Sequence, residues 1–339
     1  MIVFITGAAG FIGYHVAEKL LKEGTEVIGC DNLNDYYDVS LKIARLERLK
    51  RYPNFSFYPL DITSFDALKQ IMTQHPNITH TLHLAAQAGV RHSLIDPFAY
   101  ARSNILGHLN LLEALRSLQN LEHFVYASSS SVYGANEKQP FSTEDRVDQP
   151  LSLYAATKRA GELMSYCYSH LYPTPTTGLR YFTVYGPWGR PDMSSFIFTE
   201  AMLNDREIPV FNDGDMSRNF TYIDDVVAGT LACIKLPVTR KENPLENHRI
   251  YNIGNDRSEK LMDFIHVLEK TLGIKAKIRL EPMQKGDVRE TTADISSSKR
   301  DFNYAPHTSI DVGIPQFVAW YLDYFKISKQ NNLSTEIAS

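Results

Sequence analysis

At 339 residues the chain exceeds one typical domain, and with 43% hydrophobic and 22% charged residues it has the composition of an ordinary soluble globular protein. A net charge of -4, with the basic residues scattered, gives no basis for nucleic acid or an anionic membrane surface as partner. Three separated cysteines, Cys30, Cys167 and Cys233, fit neither a disulfide framework nor a metal site, and no apolar run approaches the roughly 18 residues of a membrane span. Met1–Ile5 already reads as a strand, with no targeting segment before it, so the expected compartment is the cytoplasm.

In chain order, short apolar runs predict strands over Ile2–Thr6, Glu26–Asp31, Phe55–Pro59, His80–Leu84, His123–Ala127 and Thr176–Tyr181. Helical periodicity between them predicts helices over Phe11–Glu23, Val39–Leu49, Asp66–Gln74, Phe98–Leu118 and Tyr154–Leu171. This alternation predicts an α/β fold, a Rossmann-like, doubly wound parallel sheet. A later strand, Arg249–Ile253, is expected to return to that sheet. Past Tyr181 the chain becomes richer in Pro, Gly and Asp. That shift predicts a sheet domain over 1–182 and 219–257, and a smaller interleaved α/β domain over 183–218 and 258–328. The polar, aperiodic residues 329–339 are expected to be disordered.

Gly7-Ala8-Ala9-Gly10-Phe11-Ile12-Gly13 follows the first strand and opens the first helix. Glycines there let the chain turn tightly and bring backbone N–H groups to a pyrophosphate at a helix N-terminus. A glycine trio alone is a weak signal. Asp31, which ends the second strand 18 residues after Gly13, adds an acid for the adenosine ribose and favours NAD over NADP.

Tyr154-Ala155-Ala156-Thr157-Lys158 is a Y-x-x-x-K motif; with 19 Tyr in the chain, about one match is expected by chance. Its context carries more weight. The i,i+4 spacing at the head of a helix puts both side chains on one face. The serine run Ser128–Ser131 ends a buried strand, where ligands sit in doubly wound sheets. A tyrosine becomes a useful base near neutral pH only when cations favour its phenolate. Lys158 and a nicotinamide ring would supply them, and a serine hydroxyl could share the proton.

These motifs resemble the extended short-chain dehydrogenases, over about residues 1–326. Within them the chain is similar to the UDP-glucuronate 4-epimerases, through Asp31-Asn32-Leu33-Asn34-Asp35-Tyr36-Tyr37, Ala85-Ala86-Gln87-Ala88-Gly89-Val90-Arg91 and the Arg180–Met193 stretch. The resemblance implies Tyr154 as base, Lys158 as its tuner and holder of the cofactor ribose, and Ser129 as the partnering serine. It implies NAD against Gly7, Gly10, Phe11, Ile12, Gly13, Asp31 and Asn32, with Asp61 and Ile62 beside the adenine. Leu84, Ala85 and Ala86 would pass under the cofactor, Asn104 would support the central helix, and Tyr181 would complete the site. For the UDP-sugar it implies Arg218 on the diphosphate, Val210 and Phe211 at the uracil, Asp287 at the uridine ribose and Arg289 as a further phosphate contact. A surface salt bridge is the plainer alternative for either arginine.

An acidic sugar needs its carboxylate held, and Thr183 and Arg190 are the best candidates, with Ser128, Ser129 and Ser130 nearby and Arg91 a weaker one. The implied cycle oxidises carbon 4, turns the 4-keto sugar within the site and reduces it from the other face, feeding polysaccharide biosynthesis. A 4-keto uronate is a β-keto acid prone to lose carbon dioxide, so a UDP-glucuronate decarboxylase is the nearest rival. An epimerase of another UDP-hexuronate or UDP-hexose is the other. Dehydratases carry acids where this chain has Ser130 and Ser131, and non-catalytic relatives lack the Tyr–Lys pair. Thr291 stands where glucose epimerases carry a pocket-narrowing tyrosine, which leaves hydroxyl or acetamido open at carbon 2. The resemblance implies a homodimer, and apolar residues spread beyond one stripe on helices Phe98–Leu118 and Tyr154–Leu171 agree with it.

Overall fold

The computed structural model describes residues 1–172, 174–238, 247–284 and 288–327. Its first half runs β1 (Ile2–Thr6), α1 (Phe11–Lys22), β2 (Glu26–Asp31), α2 (Val39–Leu49), β3 (Phe55–Pro59), α3 (Phe65–Gln74), β4 (His80–His83), α4 (Pro97–Tyr100), α5 (Gly107–Leu115), β5 (His123–Ser129), α6 (Leu153–Leu171) and β6 (Thr176–Tyr181). The second half adds β7 (Thr183–Tyr185), α7 (Ser194–Leu203), β8 (Glu207–Phe211), β9 (Ser217–Arg218), β10 (Phe220–Tyr222), α8 (Ile223–Ile234) and β11 (His248–Ile253). It closes with β12 (Glu259–Lys260), α9 (Leu261–Leu272), β13 (Lys277–Glu281), α10 (Ser296–Phe302) and α11 (Ile310–Tyr324).

Seven strands form one parallel sheet in the order β11-β6-β5-β4-β1-β2-β3. The winding reverses between β1 and β4, and a crevice opens there at the strand C-termini. Helices cover both faces, so the strands read as continuous apolar runs. Val3 and Ile5 pack into the cluster that continues through Phe182 and Tyr185 to Phe220, Phe264 and Phe317. Phe4, between them, points to the other face and packs with Ile28, Leu111 and Phe124.

Three elements depart from expectation. β4 stops at His83, because Leu84 turns off the ladder after donating its N–H to Thr6 O at 3.1 Å. β5 runs on to Ser129, pairing Ser128 with Arg180 and Ser129 with Tyr181. The single helix expected over Phe98–Leu118 is α4 and α5 joined by a π-helical turn, Ala101–Leu106. That wider turn brings Asn104 inward, where its Oδ1 accepts from Gln87 N at 2.8 Å and its Nδ2 donates to Thr157 Oγ1 at 3.0 Å.

In the second half β8 pairs parallel with β13, and β9 antiparallel with β12. Residues 207–218 are thereby tied to 259–281. β7 pairs with β10 across the boundary expected at 218/219. Residues 329–339 lie outside the described residues. Among the described residues no helix is long and apolar enough to cross a membrane.

Candidate active site

The crevice at the sheet's reversal is walled first by the glycine loop. Gly7 has φ 74°, and a Cβ on it would come 2.8 Å from Ala85 N. A Cβ on Gly13 would strike the Gly7 carbonyl. Gly7 N and Ala8 N donate to Cys30 O at 2.8 and 3.1 Å, which pins the loop to β2. Gly10 precedes α1 with no side-chain cap, and Phe11, Ile12 and Gly13 line the cleft where that helix begins. The glycines thus let the loop pack tightly against its own backbone, and the loop offers uncapped helical N–H groups to the cleft, which suits a pyrophosphate.

Asp31 accepts from Ala9 N at 3.1 Å and from Leu33 N at 2.9 Å. Burial pushes its carboxyl up, against the pull of these N–H groups and of Lys42. Asn32 donates to Asp61 Oδ2 at 2.7 Å, and Thr63 donates twice to Asp61 Oδ1. Burial opposes ionisation of Asp61, but these hydrogen bonds outweigh it and hold the carboxyl below its ordinary value. Ile62, Leu84, Ala85, Ala86 and Tyr181 also line the cleft. Asn104 does not reach it; it braces the wall from behind. Glycine cradle, uncapped helix and Asp31 together fit a dinucleotide with a free ribose diol.

Above the end of β5 stands the Tyr–Lys pair. α6 opens after Ser152, whose Oγ accepts from Ala155 N at 3.1 Å, and this cap fixes the helix start one residue before Tyr154. Lys158 Nζ donates to Ala127 O at 2.9 Å and lies 6.0 Å from the Tyr154 ring centre. Burial, then the charge of Arg190, lowers the Lys158 ammonium to about 8. Burial raises the Tyr154 hydroxyl, while a hydrogen bond with Ser129 and the charge of Arg190 pull it down. Arg190, which the sequence reading kept for the sugar carboxylate, is thus a cation acting on Tyr154 as well.

The serines separate. Successive side chains on a strand face opposite ways. Ser129 meets Tyr154, whereas Ser128 donates to Glu162 Oε1 at 2.6 Å. Glu162 is buried and also receives Arg180 Nε at 2.8 Å, Arg180 Nη2 at 2.9 Å and Arg159 Nη1 at 3.0 Å. The Ser128 hydroxyl braces the floor beneath the site through Glu162, while Ser128 itself lines the cleft. Ser130 lies in the turn after β5 and is not part of the cleft lining.

On the sugar side, Arg218 and Arg289 meet each other, and of the expected residues that are described Ser128, Ser129 and Arg190 line the cleft. Arg190 lines the cleft, and its Nε and Nη2 grip Asp192 at 2.9 and 2.5 Å. Thr183 alternates with Phe182 and Val184, and those two line the cleft while Thr183 does not. Val210 is fully buried in β8, and Phe211 carries the Arg91 guanidinium 5.0 Å above its ring. Arg218 Nη1 donates to Ser217 O and Arg289 O, both at 3.0 Å. Arg289 pairs with Asp215 at 2.8 Å on the exposed surface. Thr291 Oγ1 accepts from Asn219 N at 3.2 Å and is buried. Asp287 lies outside the described residues. Sequence reasoning assigned nothing to Tyr36, Lys42, Phe182, Asp192 or Met193, all cleft-lining or bonded to it. Tyr36 and Asp192 stood inside the quoted motifs, but only the fold brings them together.

A reversing parallel sheet with a glycine cradle on β1 and a Tyr–Lys–Ser group over β5 defines a short-chain dehydrogenase type of nucleotide-binding enzyme. The chain belongs to the NAD dependent epimerase/dehydratase family, whose model matches residues 3–254. A UDP-glucuronate 4-epimerase of Thermodesulfobacterium geofontis is 46% identical over 96% of this chain and 97% of its own. A protein named CapI from Staphylococcus aureus is 48% identical over 96% of this chain and 100% of its own. Among solved structures, UDP-glucuronic acid 4-epimerase of Bacillus cereus in complex with UDP-glucuronic acid and NAD matches with TM-score 0.87. It is 36% identical, over 96% of this chain and 100% of that one.

Proposed function

We propose that this protein is an NAD-dependent UDP-sugar 4-epimerase that interconverts UDP-glucuronate and UDP-galacturonate. The observation that carries this is the meeting of Tyr154, Lys158 and Ser129 beside the glycine cradle, in a chain whose near-full-length relatives include UDP-glucuronate 4-epimerases. NAD, when bound, takes a hydride from sugar carbon 4 and returns it to the opposite face. Tyr154 removes and restores the proton of the carbon-4 hydroxyl, and Ser129 shares that proton. Lys158, already held by Ala127 O, fixes the cofactor ribose and favours the phenolate. Asp31 and Asn32 hold the adenosine end, with Asp61 and Ile62 beside the adenine.

Arg218 and Arg289, with Asp287, are assigned to the uridine diphosphate, and Val210 and Phe211 to the uracil. Thr183, Ser129 and Arg190 are assigned to the uronate carboxylate, with Arg190 entering that role already paired with Asp192. The cross-pairing of residues 207–218 with 259–281 supports a sugar-binding unit made of 183–218 and 258–328. A homodimer is supported by the exposed Leu94, Ile95 and Phe98 next to α4 and by exposed Leu163 and Tyr166 on α6. Sedimentation showing only monomer at micromolar concentration would count against it. Three free thiols agree with a reducing cytoplasm.

Incubation with UDP-glucuronate tests the activity. UDP-galacturonate without loss of carbon dioxide is expected; a UDP-pentose with carbon dioxide, or unchanged substrate, overturns it.

A further inference from the structure

Tyr36, Arg190 and Asp192 form a chain of contacts across the mouth of the cleft. Tyr36 OH donates to Asp192 Oδ2 at 3.0 Å, on the same carboxylate that takes both arms of Arg190. The backbone that carries Arg190 is fixed from below by the fully buried Arg45 of α2. Arg45 donates to Trp188 O at 2.6 Å, Gly189 O at 3.0 Å, Ala9 O at 2.9 Å and Tyr37 OH at 2.8 Å. One segment, Asn32–Leu49, thus reaches Arg190 twice, through the main chain by Arg45 and through Asp192 by Tyr36.

Several charged and titratable groups surround the Tyr154 hydroxyl. Lys158 comes from its own helix, and Arg190 and Asp192 come from the segment after β7. Tyr100 of α4 presents its ring edge at 6.1 Å. Tyr36 and His92 form the next layer, and His83 and His108 lie towards Lys158. Burial opposes the charge on Asp192, but Arg190 and Tyr36 outweigh it and hold the carboxyl below its ordinary value. Asp192 is therefore an anion at neutral pH. Without it, the Arg190 charge would act on the hydroxyl unopposed.

We propose that Asp192, oriented by Tyr36, is a positioning residue that aims Arg190 along the Tyr154 side of the cleft and offsets its positive charge there. It acts through Arg190 and touches neither sugar nor cofactor. The proposal rests on Tyr154 being the group that titrates in the reaction. Arg190 lowers the Tyr154 hydroxyl and Asp192 raises it, so removing either charge should move Tyr154 in opposite directions.

The test is a phenolate absorbance titration of the NAD-loaded protein, with the matching Tyr154→Phe spectrum subtracted in each background. His92→Gln in every protein compared removes the neighbouring imidazole. Asp192→Asn should lower the Tyr154 midpoint by on the order of one pH unit, the effect of one unit charge at an effective dielectric near 20. Asp192→Glu should return it to the wild-type position, and Arg190→Gln should raise it. An unchanged or raised midpoint in Asp192→Asn overturns the proposal. If that variant does not fold, an unchanged midpoint in Arg190→Gln does the same. No turnover is required, so a failure to epimerise UDP-glucuronate sinks the proposed substrate without touching this result.

Discussion

The cofactor side of the site and the side proposed for the sugar are built from different material. The cofactor wall is mostly backbone: glycines without Cβ, uncapped N–H groups and strand ends held by the sheet ladder. The residues proposed for the sugar are mostly long side chains, of which Arg190 lines the cleft while Arg218 and Arg289 stand outside its lining, and these already have partners within the chain. Arg190 grips Asp192, Arg289 grips Asp215, and Arg218 binds main-chain carbonyls. A wall of backbone is ready before its ligand arrives, whereas a wall of guanidinium groups must exchange partners to bind. The cofactor is thus the expected permanent resident, and the sugar the visitor.

Substitutions can break or sharpen this contrast. The largest effect is expected where the walls meet. Tyr154→Phe should lower turnover by about a thousandfold or more while fold and bound NAD remain, read by steady-state kinetics and the cofactor content of purified protein. Retention of more than about a tenth of the wild-type rate would move the base elsewhere.

Next comes the shared floor. Glu162→Gln leaves Arg180 buried against a neutral partner and should cost about 3–5 kcal/mol in chemical denaturation at pH 7. Burial raises the Glu162 carboxyl, but hydrogen bonds and charge from Arg180 outweigh it and hold it below its ordinary value of 4.5. A depressed carboxylate gives its full stabilisation above that value and loses it as pH falls through the folded one. The difference between variant and wild type should therefore shrink below about pH 4.5, and a constant difference would mean that charge is not the cause.

Gly13→Ala tests the backbone wall alone. The added methyl overlaps the Gly7 carbonyl, so the loop must shift; NAD affinity should fall by about a hundredfold, and the melting temperature should fall with it. Calorimetric titration of NAD into the apo protein reads it. The smallest expected effect belongs to the other wall. Arg218→Ala should weaken UDP-sugar binding by about ten- to hundredfold and leave NAD binding unchanged. Equal losses for both ligands would erase the distinction drawn between the walls.

The same contrast governs what was readable from the amino acids. All seven sheet strands, the glycine cradle and Tyr154–Lys158 were legible, because they follow from local periodicity and fixed spacing. Ser128 and Ser129 were indistinguishable in sequence. Their separation depends on β5 running two residues further than its apolar run, which sets which hydroxyl faces Tyr154 and which faces Glu162. Asp192 stands only two positions from Arg190, but Tyr36, which completes the group, is 156 positions from Asp192 and meets it only after the chain folds. Long-range pairings of this kind leave no periodic trace. The interruption of the helix expected over Phe98–Leu118 was equally silent, since no proline or glycine pair marks it.

That interruption has a consequence for how the gene can change. A π-helical turn holds one residue more than the α-helical turn it replaces. Removing a single codon between Ala101 and Leu106 would restore regular winding, and the side chains beyond it would keep their direction, because the extra residue is what the wider turn absorbs. Asn104, which the wider turn brings inward, would then lose Gln87 on one side or Thr157 on the other, while α5 would keep its stripe against the sheet. A point substitution in this segment perturbs one contact. A one-codon deletion here would be absorbed within the turn, whereas the same deletion inside α5 would rotate the rest of that helix by about 100°, so the turn should tolerate the loss of a residue better than α5 does.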